Sequence, residues 1–214
     1  MSQKIAVLGA SGHIGTRLTR QLLTQGHAVI AIARPSSRLE ALQQAGATSQ
    51  AGNLTDAAFL TQALHGVEAA FLLTPPHLTA LDVLAFDHQI GESVAQALRV
   101  NYVARAIHLS SLGAELGPDP AAGTGYIRSL SRQEYRYNAL EGLHVLHLRC
   151  GYFMENLLED IPLVRQTGRL SSLLRPDLAL PFIATCDVAD HVAGLLTQGF
   201  PAGQSVQELG HTDN

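Results

Sequence analysis

The apolar run "KIAVL" opens directly into "GASGHIG", with Gly9, Gly12 and Gly15 spaced three apart. A strand that hands over to a helix at such a turn leaves the first-turn amides unpaired at the positive end of the helix dipole, which suits a phosphate. Gly9 would permit the tight turn out of the strand, Gly12 a close approach to a pyrophosphate, and Gly15 a close contact between helix and strand. Ser11 adds a hydroxyl donor, and His13 and Ile14 carry the first-turn amides. The His13 side chain either leans on the phosphate or faces solvent. The motif follows a predicted strand and opens an amphipathic helix, the context in which three glycines bind a dinucleotide.

The rest of the chain repeats this alternation. "HAVIAIA", "ATSQAG", "VEAAFLL", "NYVARAIHLS" and "LHVLHLRC" read as further strands. Helical segments lie between them: one after Gly15 with Leu18, Leu22 and Leu23 on a stripe ending at Gly26, then "DAAFLTQAL", "LTALDVLAFDHQIGESVAQALR" and "YIRSLSRQEYRYNALE". The expected fold class is α/β, a Rossmann-type doubly wound parallel sheet with a small, apparently truncated C-terminal substrate-side elaboration. Residues 1–150 are expected to form the NAD(P)-binding core, with 151–214 packed on it. The Gly/Pro-rich stretch 113–125, "GAELGPDPAAGTG", is predicted to be a loop.

Bulk properties exclude several classes. The chain has 214 residues, 46% of them hydrophobic, and a formal net charge of −4, which argues against a clustered basic footprint for nucleic acid. No apolar stretch approaches the ~20 residues of a membrane-spanning helix. Cys150 and Cys186 are far apart and no secretory leader opens the chain, so a reducing cytoplasm is expected.

Cofactor choice is read at the end of the second strand, where a carboxylate would meet a ribose 2′-hydroxyl and an arginine a 2′-phosphate. The sequence there is "AIARPSSRL". Arg34 can pair a phosphate, with Ser36, Ser37 and Arg38 as added donors, and no carboxylate occurs before Glu40. NADP(H) is therefore predicted over NAD(H).

In order along the chain, "GASGHIGTRLTRQLLTQGHAV", "GNLTD", "AAFLLTPP", "HLSSLGA", "LRCGYFMENLL" and "DVADHVAGLL" resemble the blocks of the NmrA-like atypical short-chain dehydrogenases/reductases, which include NAD(P)H:quinone reductases. The resemblance implies that Asn53 and Leu54 flank the adenine and that Thr74, Pro75 and Pro76 lie beside the nicotinamide half. It also implies a tyrosine acid, a lysine four residues on, and a serine after the fifth strand. Ser110 or Ser111 fills the serine slot and Tyr126 is the tyrosine candidate, but the lysine slot is Leu130. Lys4 is the only lysine in the chain, and it precedes the first strand. Residues three and four apart share a helix face, so Tyr126 is grouped with Ser129, Leu130 and Gln133, whereas Arg128 and Arg132 point elsewhere. Cys150 stands where the family usually has proline. Members generally continue past the strand that "SVQELG" resembles, so a shallow, open cleft is expected.

Other groupings carry less chemistry. His144 and His147 lie three apart on a predicted strand and so face opposite sides, and no metal site is predicted. His77 and His88 either border the expected cleft or simply belong to the helix on its lid side. "SSLG" lacks the Gly-x-Ser-x-Gly elbow of a hydrolase. Asp187 reads as a first-turn carboxylate favoured by the helix dipole, and Asn156 as a residue near the cleft or a helix-start hydrogen bond. Two functions are expected. One is an oxidoreductase passing hydride to a small quinone-like or carbonyl acceptor. The other is a non-catalytic NADP(H) redox sensor acting through a regulatory protein partner.

Overall fold

The computed structural model describes residues 2–77, 81–117, 125–170, 177, 179–203 and 205–210. Most of the predicted loop, residues 118–124, lies outside them, as do the first three residues of the helix predicted from Leu78. In chain order the elements are β1 (Lys4–Leu8), α1 (His13–Thr24), β2 (Ala28–Ala33), α2 (Ser37–Gln44), β3 (Thr48–Ala51), α3 (Ala57–Ala63), β4 (Ala69–Leu72) and α4 (Val83–Val100). They continue with β5 (Arg105–Ser111), α5 (Gly125–Asn138), β6 (His144–Cys150), β7 (Tyr152–Phe153), α6 (Ile161–Thr167), β8 (Phe182–Ile183), α7 (Thr185–Gln198) and β9 (Val206–Leu209). Short 3-10 turns cover Ala114–Leu116 and Met154–Asp160.

The helices start where local chemistry satisfies their free amides. Ser36 accepts from Leu39 N at 3.2 Å, Asp56 from Phe59 N at 2.9 Å and Asp82 from Ala85 N at 2.9 Å, each as an N-cap. Helix α1 buries Leu18 and Leu22 of the expected stripe together with Ile14, while Leu23 is only half-buried, and Gly26 follows at φ +83°.

The seven strands of the main sheet run in the order β3-β2-β1-β4-β5-β6-β9, every pair parallel. Strands covered by helices on both faces carry unbroken apolar runs, as in β2 and β4. Alternation then sorts the side chains. Ile5 and Val7 of β1 join Leu18, Leu22 and Val192 in a core under α1 and α7, while Ala6 and Leu8 join Leu60, Ile90 and Leu98 in a second core under α3, α4 and α5. Helices α4 and α5 meet at Gly91, where a Cβ would come within 1.9 Å of Gln133 Oε1.

The structure departs from the sequence reading in several places. The fifth strand begins at Arg105, not Asn101, because Asn101 caps α4 and Tyr102 turns the chain at φ +51°. Helix α5 ends at Asn138, short of Glu141. The pair β7–β8, too short to leave a periodic signal, adds a separate two-stranded sheet after β6.

Candidate functional site

Reversal of strand order between β1 and β4 opens a crevice at the carboxyl ends of these strands, the position where doubly wound sheets take ligands. The glycine turn borders it. Gly9 adopts φ +71°, a conformation that glycine reaches without strain. A Cβ on Gly15 would lie 2.3 Å from the Gly9 carbonyl oxygen and 2.7 Å from Ala10 Cα, so close packing of α1 on the turn requires glycine there. The only neighbour that a Cβ on Gly12 would meet within 4 Å is the Gly9 carbonyl oxygen, at 3.3 Å. Thr16 Oγ1 donates to Ala10 O at 3.0 Å and ties the helix to the turn. The first-turn amides of His13 and Ile14 have no acceptor one turn back inside the helix. This cradle fits a pyrophosphate.

The residues expected at the adenosine end share one border. Ala33 pairs with Ala51, and Gly52 N donates to Ala33 O at 3.0 Å, so Arg34 and Asn53 leave the sheet side by side. Arg34 is exposed. Arg38 Nη1 reaches across to Ser11 O at 3.3 Å, bringing a second guanidinium against the glycine turn. Asn53 Oδ1 accepts from Thr55 N at 3.1 Å, and Leu54 is buried. Ser36 is occupied as the α2 cap, while the neighbouring Ser37 begins the helix on the exposed side. A groove of about 690 Å³ runs from Gly12 and His13 down α1 past Arg17 and Arg20, with Arg38 on its wall. Of the glycine turn it touches only Gly12, and none of Asn53, Thr74 or Tyr126 lines it.

At the other end, Thr74, Pro75 and Pro76 follow β4, and the Tyr126 hydroxyl donates to Thr74 O. The first turn of α5 therefore sits over the end of β4. Burial, reinforced by the charge of Asp87, raises the Tyr126 phenol well above its ordinary value. Leu130, in the lysine slot, is buried in the core.

The two serine candidates separate here. Ser111 Oγ donates to the adjacent Leu112 O at 3.0 Å, at the half-buried end of β5. Ser110 is buried and donates to Glu134 Oε1 at 2.5 Å. The same carboxylate accepts from Arg149 Nε at 3.1 Å and Nη2 at 2.7 Å. Burial alone would raise Glu134, but hydrogen bonds from Arg149 and Ser110 outweigh it and hold the carboxyl below its usual range. Ser110 is thereby a brace between β5 and α5. Sequence reasoning missed Glu134 and Arg149 as its partners, since they converge only when α5 lies on β6.

Other expected groups resolve as follows. His144 packs on Phe200 while His147 lies on the opposite face with its Nδ1 3.0 Å from His108 Nδ1. Asp187 falls in the first turn of α7, but the cap on that helix comes from Glu155, whose carboxylate accepts from Thr185 N at 2.9 Å and Thr185 Oγ1 at 2.5 Å. Among the described residues, no group of three or more His, Cys, Asp or Glu is placed to hold a metal, and no helix is long and apolar enough to cross a membrane.

Comparison with known proteins decides the family. Residues 9–198 match the family described as NAD(P)H-binding. The chain belongs to the NAD(P)H-binding family. This agrees with the resemblance to NmrA-like atypical short-chain dehydrogenases/reductases. Quinone oxidoreductase 2 of Escherichia coli is 26% identical over 198 residues, covering 87% of this chain and 65% of that protein. An NAD(P)H azoreductase of Xenophilus azovorans is 25% identical over 164 residues, covering 77% of this chain and 53% of that protein. The chain thus spans between half and two thirds of the length of these relatives. The crystal structure of the Escherichia coli NADPH-dependent quinone oxidoreductase with NADPH superposes with a TM-score of 0.76 at 24% identity, over 96% of this chain and 69% of the other, and shares the fold.

Proposed function

We propose that this member of the NAD(P)H-binding family is an NADPH-dependent oxidoreductase that reduces a small quinone-like or carbonyl acceptor in the cytoplasm. The observation that carries the reading is the position of Tyr126, whose hydroxyl reaches the end of β4 at Thr74 on the same sheet edge as the glycine turn. NADPH, when bound, supplies the hydride. The glycine turn and the α1 amides hold the pyrophosphate, Arg34 and Arg38 with Ser37 meet the 2′-phosphate, and Thr74, Pro75 and Pro76 border the nicotinamide half. Tyr126 donates the proton that the reduced acceptor oxygen needs, and Ser111 offers that oxygen a second hydroxyl. Residues 1–150, completed by α7 and β9, act as the cofactor core, and the segment around β7 and β8 forms the acceptor side.

The test is NADPH oxidation by purified protein against a panel of quinones and aromatic carbonyls. Turnover above the free-solution rate, reduced by Tyr126→Phe, is expected. A rate equal to background for every acceptor overturns the reading.

A second reading is favoured by Leu130, buried where a lysine would assist Tyr126, and by Ser110, committed to Glu134. In it, the protein senses the NADPH/NADP⁺ ratio and passes it to a protein partner. A ligand pair shifts an equilibrium only through differential affinity. Equal affinities for NADPH and NADP⁺ in calorimetric titrations would therefore exclude sensing.

A further inference from the structure

After β7 the chain enters a helical stretch made of the 3-10 turn Met154–Asp160 and α6. No residue of Met154–Thr167 is buried. Yet the stretch is apolar on one side. Met154, Leu157, Ile161 and Val164 follow one another at intervals of three, four and three residues, the spacing of a single helix face, and Leu158 borders it. These side chains and Leu163 are between 37% and 57% exposed. The segment 154–170 holds more than half of the large apolar side chains that the described residues expose. Monomeric proteins rarely present such a contiguous patch without a use for it. A helix of seven residues is also too short to hold itself together in water, and takes its stability from packing an apolar face. The base of the stretch is braced: Phe153 packs against the core under α1 and α7, and Glu155 accepts from Thr185 N at 2.9 Å.

Charge identifies what covers the face. Glu155, Glu159 and Asp160 lie in its first half, Arg165 and Arg169 in its second. Glu159, Arg165 and Arg169 are exposed, and none of them forms an ion pair among the described residues. Glu159 and Arg165 are too far apart in sequence to meet on their own helix, where neighbours are three or four residues apart. A partner of a single charge sign would meet repulsion at one end of the face. The reversed segment is complementary to itself.

We propose that this face is the interface of a homodimer, in which two copies of the segment pack antiparallel about a two-fold axis near Pro162. Glu159 and Arg165 stand equally far to either side of Pro162, as do Ile161 and Leu163. The axis therefore sets Glu159 level with the partner's Arg165, and Ile161 level with the partner's Leu163. One patch serves both copies, as a two-fold interface requires. The apolar side chains form its centre and the charges its rim, the usual anatomy of a protein interface. The pairing needs neither cofactor nor acceptor, so it stands apart from the oxidoreductase reading.

The test is sedimentation equilibrium of the full chain over a range of micromolar concentrations at low salt, where a monomer–dimer equilibrium is expected. Leu158→Glu, at an exposed position, should leave a monomer with an unchanged circular dichroism spectrum. Glu159→Arg and Arg165→Glu should each raise the dimer dissociation constant about 10-fold, because two symmetric pairs turn from attraction to repulsion. Combining the two should restore the wild-type value. That recovery distinguishes antiparallel pairing from a parallel one, which would set Glu159 against the partner's Glu159. A monomer at every concentration overturns the proposal, and so does a dimer that persists in Leu158→Glu or a charge exchange without recovery. A monomer that instead sediments with phosphatidylcholine vesicles assigns the face to a lipid surface and overturns it as well.

Discussion

Arg34 is exposed at the end of β2 and Arg38 leans on the glycine turn, so both can approach a 2′-phosphate without rearranging the core. A charge-assisted hydrogen bond is worth about 1.5–3 kcal/mol, or roughly 10- to 150-fold in affinity. Arg34→Ala is accordingly expected to weaken NADPH by that factor and leave NADH nearly unchanged, as read by fluorescence titration. Equal losses for both dinucleotides would remove Arg34 from the phosphate. At this scale much was legible in advance. Glycines at positions 9, 12 and 15 have positional meaning, and the shared face of Tyr126, Ser129 and Gln133 follows from helical period. What Ser110 and Glu155 do was not legible, because each is defined by a partner 24 or 30 residues away. Periodicity specifies which face a side chain takes, not which group waits there.

Among the elements, β5 and β6 carry an unusual cross-strand contact. His108 pairs with His147 in register, and both are fully buried. With Asn138 Oδ1 accepting from His147 Nε2, His147 Nδ1 accepts from His108 Nδ1, and His108 Nε2 is left as a buried lone pair without a partner among the described residues. Burial drives both rings towards the neutral form, His108 well below the ordinary histidine value and His147 to about 4, with Glu134 opposing in the latter. In the unfolded chain both take up a proton near pH 6.5, about the ordinary value. Above that pH neither state binds the proton and the pair is neutral towards stability. As pH falls below it the unfolded chain binds protons that the folded one refuses, so stability declines by about 1.4 kcal/mol per pH unit for each histidine. Urea unfolding between pH 7 and pH 5 should show this slope, and His108→Gln should reduce it by one histidine's share. A slope unaffected by the substitution would mean that His108 is solvated in the folded state. The sequence separated His144 from His147 by strand alternation, but the contact with His108 depends on the β5–β6 register, which no local pattern encodes.

For the molecule as a whole, the parallel, doubly wound class of the sheet was readable because strands and helices alternate along most of the chain and parallel strands need crossovers. The small β7–β8 sheet was not, since two-residue strands have no period. A fold organised around one crevice should gain stability from whatever fills it. At a free concentration a hundred times its Kd, a ligand adds about 2.7 kcal/mol, and for a domain of this size each kcal/mol moves Tm by about 2–4 °C. NADPH is therefore expected to raise the melting temperature by about 5–11 °C, and NADH at the same concentration by less. Equal shifts would contradict the proposed cofactor preference.

The two margins of the main sheet carry a consequence for behaviour at high concentration. Among the described residues its outermost strands, β3 and β9, are four residues each, and β3 reads Thr-Ser-Gln-Ala. So little polar backbone gives a neighbouring molecule almost nothing to zip onto, which makes fibril-like stacking through these borders an unfavourable route to precipitation.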